Sequence, residues 1–281
     1  MTETVSYIQN SLKEMYPSGE IKSFTRLIME QICGLQPYQL LACKGKELSD
    51  MEKKRIQDIV ARLKLSEPIQ YILGQASFYG SVFETNPSVL IPRPETEELV
   101  DLIIKDYKHK TARILDIGTG SGCIAVSLAK HLPGAEVVAI DISEEALAVA
   151  LRNAGRNQTD VSFIRTDILG AACLEDIPGE FDVVVSNPPY VKESERNAMQ
   201  DNVLRYEPPT ALFVPDTDPL LFYKAIAEFG NKRLKKNGRL YVEINAQCGK
   251  ETTALFKACQ YRAIELIRDL SGKDRIIKAE K

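Results

Sequence analysis

The 281-residue chain has only two histidines, His109 and His131. Its six cysteines (Cys33, Cys43, Cys123, Cys173, Cys248 and Cys259) include no C-x-x-C pair. These spacings do not suit zinc, so no metal is expected, and reduced, mostly buried thiols in a cytoplasm are the default. Each histidine falls near the expected C-terminal end of a helix, where partial positive charge is favourable, and neither reads as catalytic. No apolar run approaches the length that spans a bilayer, so no membrane association is expected. The opening Met-Thr-Glu-Thr-Val-Ser-Tyr has neither a basic region nor an apolar core and is not expected to be a signal peptide. Internal repeats and low-complexity tracts are missing too. So is a basic excess: the formal net charge is −3 and the pI is near 5.7. A protein that grips many phosphates carries a basic footprint, so the balance leans towards a protein or small-molecule substrate. With 44% hydrophobic and 27% charged residues, the composition is that of an ordinary globular protein. The length admits a catalytic domain with a smaller companion.

Three regions follow one another. Residues 1–66 read as four or five short helices, with apolar residues at helical spacing in Ile21, Phe24, Leu27, Ile28, Ile32 and again in Ile56, Ile59, Val60, Leu63. Ser49 followed by Asp50 and Glu52 begins one of them, and Gly19, Gly34 and Pro37 punctuate the segment. Residues 67–92 contain β-rich runs around an Asn86-Pro87 turn, which suggests a hairpin linking two domains. Pro92-Arg93-Pro94-Glu95-Thr96-Glu97 is then a rigid lead into a helix with an acidic first turn. From residue 113, strands near 114–115, 137–140, 161–164, 181–186 and 239–244 alternate with helices. A helix near 249–259 and strands near 261–268 and 274–279 close the chain. The pattern predicts an α/β fold, a doubly wound sheet over residues 93–281.

Two stretches carry chemistry. Asp116-Ile117-Gly118-Thr119-Gly120-Ser121-Gly122 lies between a strand and a helix, where glycines allow a tight turn and close approach of a ligand. Its G-x-G-x-G spacing differs from the G-x-G-x-x-G that cradles a pyrophosphate. A second strand ends at Asp141-Ile142, where the carboxylate suits both hydroxyls of a ribose. A third ends at Asp167-Ile168, where a carboxylate can accept from an adenine amine and Ile168 can cover the ring. Any one of these acids could be a helix cap. Three at successive strand ends, around one glycine loop, describe an adenosine pocket with no phosphate site, which points to S-adenosyl-L-methionine.

The second stretch is Phe181-Asp-Val-Val-Val-Ser186 followed by Asn187-Pro188-Pro189-Tyr190. The first part reads as a strand buried on both faces. Two prolines then fix φ and supply no N–H, and Asn187, preceding proline, is kept out of the helical region. The elbow displays an amide, carbonyl oxygens that no helix has claimed and an aromatic face. It stands at the carboxyl end of a strand, where open α/β sheets place ligands. Pro-Pro alone would be an ordinary strand-terminating turn. The full tetrapeptide resembles the catalytic motif of methyltransferases that act on planar nitrogens of nucleic-acid bases or of glutamine.

Taken together, the motifs resemble the HemK-type release factor glutamine methyltransferases over essentially the whole chain. The matching stretches are Tyr71 to Gly74, Phe78-Tyr79-Gly80, Leu90 to Glu97, Asp116 to Gly122, Asn187 to Tyr190, and Tyr206-Glu207-Pro208 with Ala211-Leu212. The resemblance implies a seven-stranded Rossmann-like sheet with an N-terminal helical bundle. It implies methyl transfer from S-adenosylmethionine to the glutamine of a Gly-Gly-Gln loop in peptide chain release factors, by a cytoplasmic monomer with no direct nucleic-acid contact. Asn187 and the Pro188 carbonyl would hold the substrate amide, with Pro189 stiffening the elbow and Tyr190 packing on the amide plane. Arg93, Glu95 and Glu207 would orient the glutamine backbone or close the site, and the bundle would dock the substrate. Two departures stand out: Phe213-Val214-Pro215-Asp216 replaces a glycine-containing segment, which bears on loop mobility, and Ile168 replaces a common aromatic. A DNA or RNA adenine-N6 methyltransferase shares the tetrapeptide but needs a basic groove, and usually a target-recognition domain, that are not evident here. A silent binding protein on the same scaffold would usually have lost the loop or the tetrapeptide, and both are intact.

Overall fold

A computed structural model of the chain describes residues 2–34, 47–171 and 173–281. They fall into two units, Met1–Gly74 with Gln200–Tyr206, and Gln75–Met199 with Glu207–Lys281. The expected break at Pro37, and Cys43, lie outside the described residues.

In the first unit, α1 (Thr2–Leu12), α2 (Ser18–Cys33), α3 (Asp50–Leu63) and α4 (Ile69–Leu73) are joined by a short helix at Asp201–Tyr206. The helical spacing of apolar residues translates directly into a core: Ile21, Phe24 and Ile28 of α2 meet Ile56, Val60 and Leu63 of α3. Each fully buried side chain of this size contributes about 1.5–3 kcal/mol. Ser49 and Glu52 form a reciprocal capping box at the start of α3, worth about 1 kcal/mol. Leu63 O accepts from the Tyr16 hydroxyl at 2.7 Å, and Leu65 O accepts from that of Tyr206 at 3.0 Å.

The second unit begins with a hairpin, β1 (Gln75–Phe78) and β2 (Ser81–Glu84). Its turn is Tyr79-Gly80, with φ of 45° and 71°, and not Asn86-Pro87 as the sequence suggests. Positive φ at both central residues is the geometry that matches strand twist in a two-residue turn. The conformation of Tyr79 is held by its surroundings: Glu97 accepts from its N–H at 2.9 Å and Asp101 from its hydroxyl at 3.0 Å. The hairpin belongs to this unit and is not a free linker; Phe78 and Phe83 are in its core. Residues 89–91 form no strand, and residues 69–73 are helical.

Helix α5 (Pro94–Tyr107) starts with proline in its first turn and carries Glu95 and Glu97 there, as the lead-in segment implies. The main sheet then holds β3 (Ala112–Ile117), β4 (Ala135–Asp141), β5 (Ser162–Arg165), β6 (Phe181–Ser186), β9 (Leu234–Glu243), β10 (Arg262–Arg268) and β11 (Asp274–Glu280). A small separate pair joins β7 (Val191–Lys192) to β8 (Phe213–Val214). The order in the seven-stranded sheet is β10-β11-β9-β6-β3-β4-β5, parallel except that β11 runs antiparallel to both β9 and β10. Alternate residues feed two cores. Ile114, Val183, Val185 and Tyr241 face one side, and Leu115, Val184, Leu240 and Val242 the other. The long helices are α6 (Cys123–His131), α7 (Glu144–Arg156), α8 (Leu221–Arg233) and α9 (Gly249–Ala258). β9 starts five residues before the apolar run at 239–244. It passes through Asn237, at φ 64°, with a register shift against β6, so turn-like residues conceal the start of a strand.

One buried side chain ties three of these pieces together. Asn153 of α7, fully inaccessible, accepts from Glu84 N at 2.6 Å. It also donates to Glu84 O at 3.0 Å and to Ser121 O at 2.9 Å. Asn153→Ala would leave part-buried backbone groups of Glu84 and the buried Ser121 carbonyl unpaired. We expect it to lower the free energy of unfolding by about 1–3 kcal/mol, measured by urea denaturation.

Candidate active site

In an open α/β sheet the ligand crevice opens where neighbouring strands send the chain in opposite directions. Here that point lies between β3 and β6. From β3 the chain moves outward through β4 and β5, and β6 begins the other half. The glycine loop leaves the end of β3, and the Asn187 elbow leaves the end of β6. Between them is a cavity of about 390 Å³, within the range of small-molecule and cofactor sites.

The loop's shape comes from glycine and from two carboxylates, Asp116 and Asp141. Gly118, Gly120 and Gly122 all have positive φ. A Cβ on Gly118 or Gly120 would point into open space, whereas one on Gly122 would lie 3.0 Å from the Ala150 Cβ of α7. The first two glycines therefore leave the main chain open to a ligand, and the third lets two helices approach. Asp116, wholly buried at the end of β3, accepts from the Thr119 hydroxyl at 2.7 Å through one oxygen. Its other oxygen has no hydrogen-bond partner among the described residues. Burial pushes this carboxyl up to about 7, against the Thr119 hydrogen bond that favours ionisation. Asp141 accepts from Gly120 N at 2.8 Å and from Ser143 N at 3.0 Å, so it pins the loop to the end of β4. Burial raises its carboxyl as well, partly offset by those backbone N–H groups. Asp167 accepts from Leu169 N at 2.9 Å.

The elbow is held from behind. Asn187 Nδ2 donates to Thr96 Oγ1 of α5 at 3.1 Å, and Thr96 Oγ1 donates to Glu243 Oε2 at 2.6 Å. The Tyr190 hydroxyl donates to Glu243 Oε1 at 3.0 Å. Glu243 ends β9 and is only 1% exposed. Burial raises its carboxyl, while Thr96, Tyr190 and the charge of Arg275 favour ionisation and Glu95 opposes it. Asn245 Nδ2 donates to Tyr190 O at 3.1 Å.

The cavity wall gathers Arg93, Gly118 to Ser121, Asp141, Ile142, Asp167, Ile168, Asn187, Pro188 and Pro189 from the residues singled out in the sequence. Asp116 and Gly122 lie outside the wall and build the loop. Tyr190, expected on the plane of a substrate amide, is partly buried against a sheet core with its hydroxyl on Glu243. Glu207 is buried and bonded to Arg93 Nη2 at 2.6 Å and Ile91 N at 3.3 Å, and so braces the segment before α5. Glu95 sits on the first turn of α5, outside the wall. Phe213-Val214 is a strand paired with β7, and Asp216 accepts from the Ser194 hydroxyl at 2.6 Å, so the segment that lacks glycines is anchored. Three supporting residues escaped the sequence reading: Thr96 as a site residue, Glu243 and Asn153. An acid within the apolar run of β9 was the available signal for Glu243.

The wall fits an adenosine-bearing cofactor. Exposed backbone over Gly118 and Gly120, carboxylates at the ends of β4 and near β5, and the 58% exposed side chain of Ile142 supply polar and apolar contacts. Among the described residues of the wall, Arg93 is the one Lys or Arg, and Glu207 already occupies it. That leaves no cation for a pyrophosphate.

The family models for the methyltransferase small domain and the PrmC N-terminal domain match residues 96–206 and 3–74. A methyltransferase crystal structure from Pyrococcus furiosus, 18% identical, shares the fold with a TM-score of 0.55, over 83% of this chain and 99% of that one. Fold and site together define an S-adenosylmethionine-dependent methyltransferase. The chain is 46% identical to the release factor glutamine methyltransferase of Bacteroides thetaiotaomicron over 100% of both. It is also 46% identical to that of Flavobacterium psychrophilum over 95% of this chain and 94% of the relative. It belongs to the release factor glutamine methyltransferase family. Among the described residues, no helix is long and apolar enough to cross a membrane.

The perturbed Asp116 has a measurable consequence. Its carboxyl titrates near 7 in the folded chain and at about 4 when unfolded, so the folded state holds the extra proton between those values. Stability should fall as pH rises through that window and level off above it. Asp116→Asn should remove this contribution, so Tm of the wild type relative to the variant should decline from about pH 4 to about pH 7. A pH-independent difference would show that the carboxyl is unperturbed.

Proposed function

We propose that this chain transfers the methyl group of S-adenosylmethionine to the side-chain amide nitrogen of the glutamine in a Gly-Gly-Gln loop of peptide chain release factors. The observation that carries the reading is the elbow: an asparagine amide, fixed by Thr96, at the mouth of a cavity suited to an adenosine-bearing cofactor. An amide nitrogen is a poor nucleophile, because its lone pair is delocalised into the carbonyl. Asn187 Oδ1 and the Pro188 carbonyl are the acceptors for its two N–H groups. They fix the nitrogen and stabilise the positive charge that develops on it. Pro188 and Pro189 hold both acceptors on a backbone with little freedom. When bound, S-adenosylmethionine supplies an electrophilic methyl group on a sulfonium. Gly118, Gly120, Asp141, Asp167 and Ile142 would hold it, with Ile168 along the adenine. No strong base is needed, since the N-methylated cation is acidic.

The helical unit is read as the docking module for the release factor. The exposed side chains of Tyr7, Met15, Met51 and Leu65 on that unit support this reading. Arg93, paired with Glu207 in the cavity wall, is read as orienting the substrate backbone, with Glu95 on α5 as a second candidate. The reading includes a cytoplasmic monomer that does not contact nucleic acid directly.

The test combines the purified chain, a purified bacterial release factor and S-adenosylmethionine, followed by peptide mass spectrometry. A single methyl on the Gly-Gly-Gln glutamine is expected. Methyl on adenine in a nucleic-acid control, with none on the glutamine, would replace this reading with base methylation. Two substitutions separate the roles. Asn187→Ala should lower kcat by at least ~100-fold while leaving cofactor affinity nearly unchanged. Asp141→Ala should weaken cofactor binding first, by about tenfold or more, since it removes a charged acceptor and frees the loop. Calorimetric titration with S-adenosylmethionine distinguishes the two.

A further inference from the structure

We infer that Glu243, acting through the Thr96 hydroxyl, sets which way the Asn187 amide faces and so keeps Asn187 Oδ1 turned towards the substrate. The inference rests on the methyl-transfer reading above. An ionised carboxylate only accepts hydrogen bonds, and a hydroxyl has one proton to donate. Thr96 Oγ1 lies 2.6 Å from Glu243 Oε2, so that proton is committed to the carboxylate. Thr96 Oγ1 can then only accept from Asn187, 3.1 Å away, and the group facing it must be the NH2. The Asn187 oxygen is thereby left for another donor. Polarity runs in one direction from carboxylate to hydroxyl to amide. With the amide reversed, two acceptors would face each other and an N–H would confront the substrate's own N–H.

The second carboxylate oxygen takes the Tyr190 hydroxyl at 3.0 Å. One side chain on β9 therefore holds both ends of the Asn187–Tyr190 elbow. Glu243 is not in the cavity wall; Thr96 lines it, but its hydroxyl is engaged by Glu243 and Asn187. They are positioning residues. A buried carboxylate is costly unless its oxygens are satisfied, and here both are satisfied by groups that continue to the elbow.

The experiment compares Thr96→Val, which removes the hydroxyl at nearly constant volume, with Thr96→Ser, which keeps it. kcat, KM for the release factor, cofactor affinity and Tm are measured for each. Thr96→Val should lose about 100-fold in kcat, with KM and cofactor affinity little changed, and Thr96→Ser should recover most of the loss. Wild-type kcat in a folded Thr96→Val would overturn the inference. So would equal losses in the two variants, since that would implicate the methyl group and packing. If Thr96→Val does not fold, Glu243→Leu is the second variant. It leaves no acceptor for the Thr96 proton, so nothing fixes the direction of hydrogen bonding at Asn187 and kcat should fall; an unchanged kcat in the folded variant would overturn the relay. Wild-type transfer to the release factor, run alongside, tests the underlying reading separately from these ratios.

Discussion

The site exists because β3 and β6 pair side by side while the chain leaves their carboxyl ends in opposite directions. Parallel pairing of Ile114 to Ile117 with Val183 to Ser186 brings the two strand ends level. The divergence then stops any connection from bridging them. Beyond Ile117 and Ser186 the backbone has to turn away sharply, and the two turns use opposite devices. The β3 turn has glycines with positive φ, which bare the main chain. The β6 turn has prolines, which stiffen it. One side of the crevice is thus open to a flat, polar ligand and the other presents a fixed amide. The Ser186 hydroxyl donates across to Ile117 O at 2.7 Å and closes the floor.

What was legible in the sequence shared one property: it was local. The glycine loop, the proline elbow and the acids at strand ends each declare themselves within a few residues, because turn chemistry is set by neighbours along the chain. The helical unit was equally readable, since Ile56, Ile59, Val60 and Leu63 reveal one face by spacing alone. The hairpin was placed at the wrong turn. Asn86-Pro87 carries the stronger turn signal, but Tyr79 is held at positive φ by Glu97 and Asp101, eighteen and twenty-two positions away. The early start of β9 was hidden for the opposite reason, because Asn237 and Gly238 look like a turn and form an irregular stretch of strand.

The supporting contacts that the sequence does not show involve pairs distant along the chain. Thr96 and Glu243 are 147 positions apart, and Asn187 and Thr96 are 91 apart. The apolar run around Glu243 hints that the acid is buried, but nothing in a local window shows which groups it bonds. Glu207 gives no local sign that Arg93 lies against it, 114 positions earlier. Tyr190 follows the same logic, since its hydroxyl finds Glu243, 53 positions away.

A buried glutamate is an expensive way to hold an elbow, and a neutral side chain could fill the same volume. The value of the carboxylate is its lack of donors. A glutamine at residue 243 would offer one oxygen and one NH2, and the direction of hydrogen bonding at Thr96 would then depend on which end turned towards it. Glu243 in its ionised form has no such ambiguity; burial raises its carboxyl, while the Thr96 and Tyr190 hydroxyls and the charge of Arg275 act in favour of the ionised form. The cost in stability is exchanged for a single orientation of Asn187. For a reaction whose nucleophile must be held by acceptors, the orientation of one amide separates a site that attracts the substrate nitrogen from one that repels it.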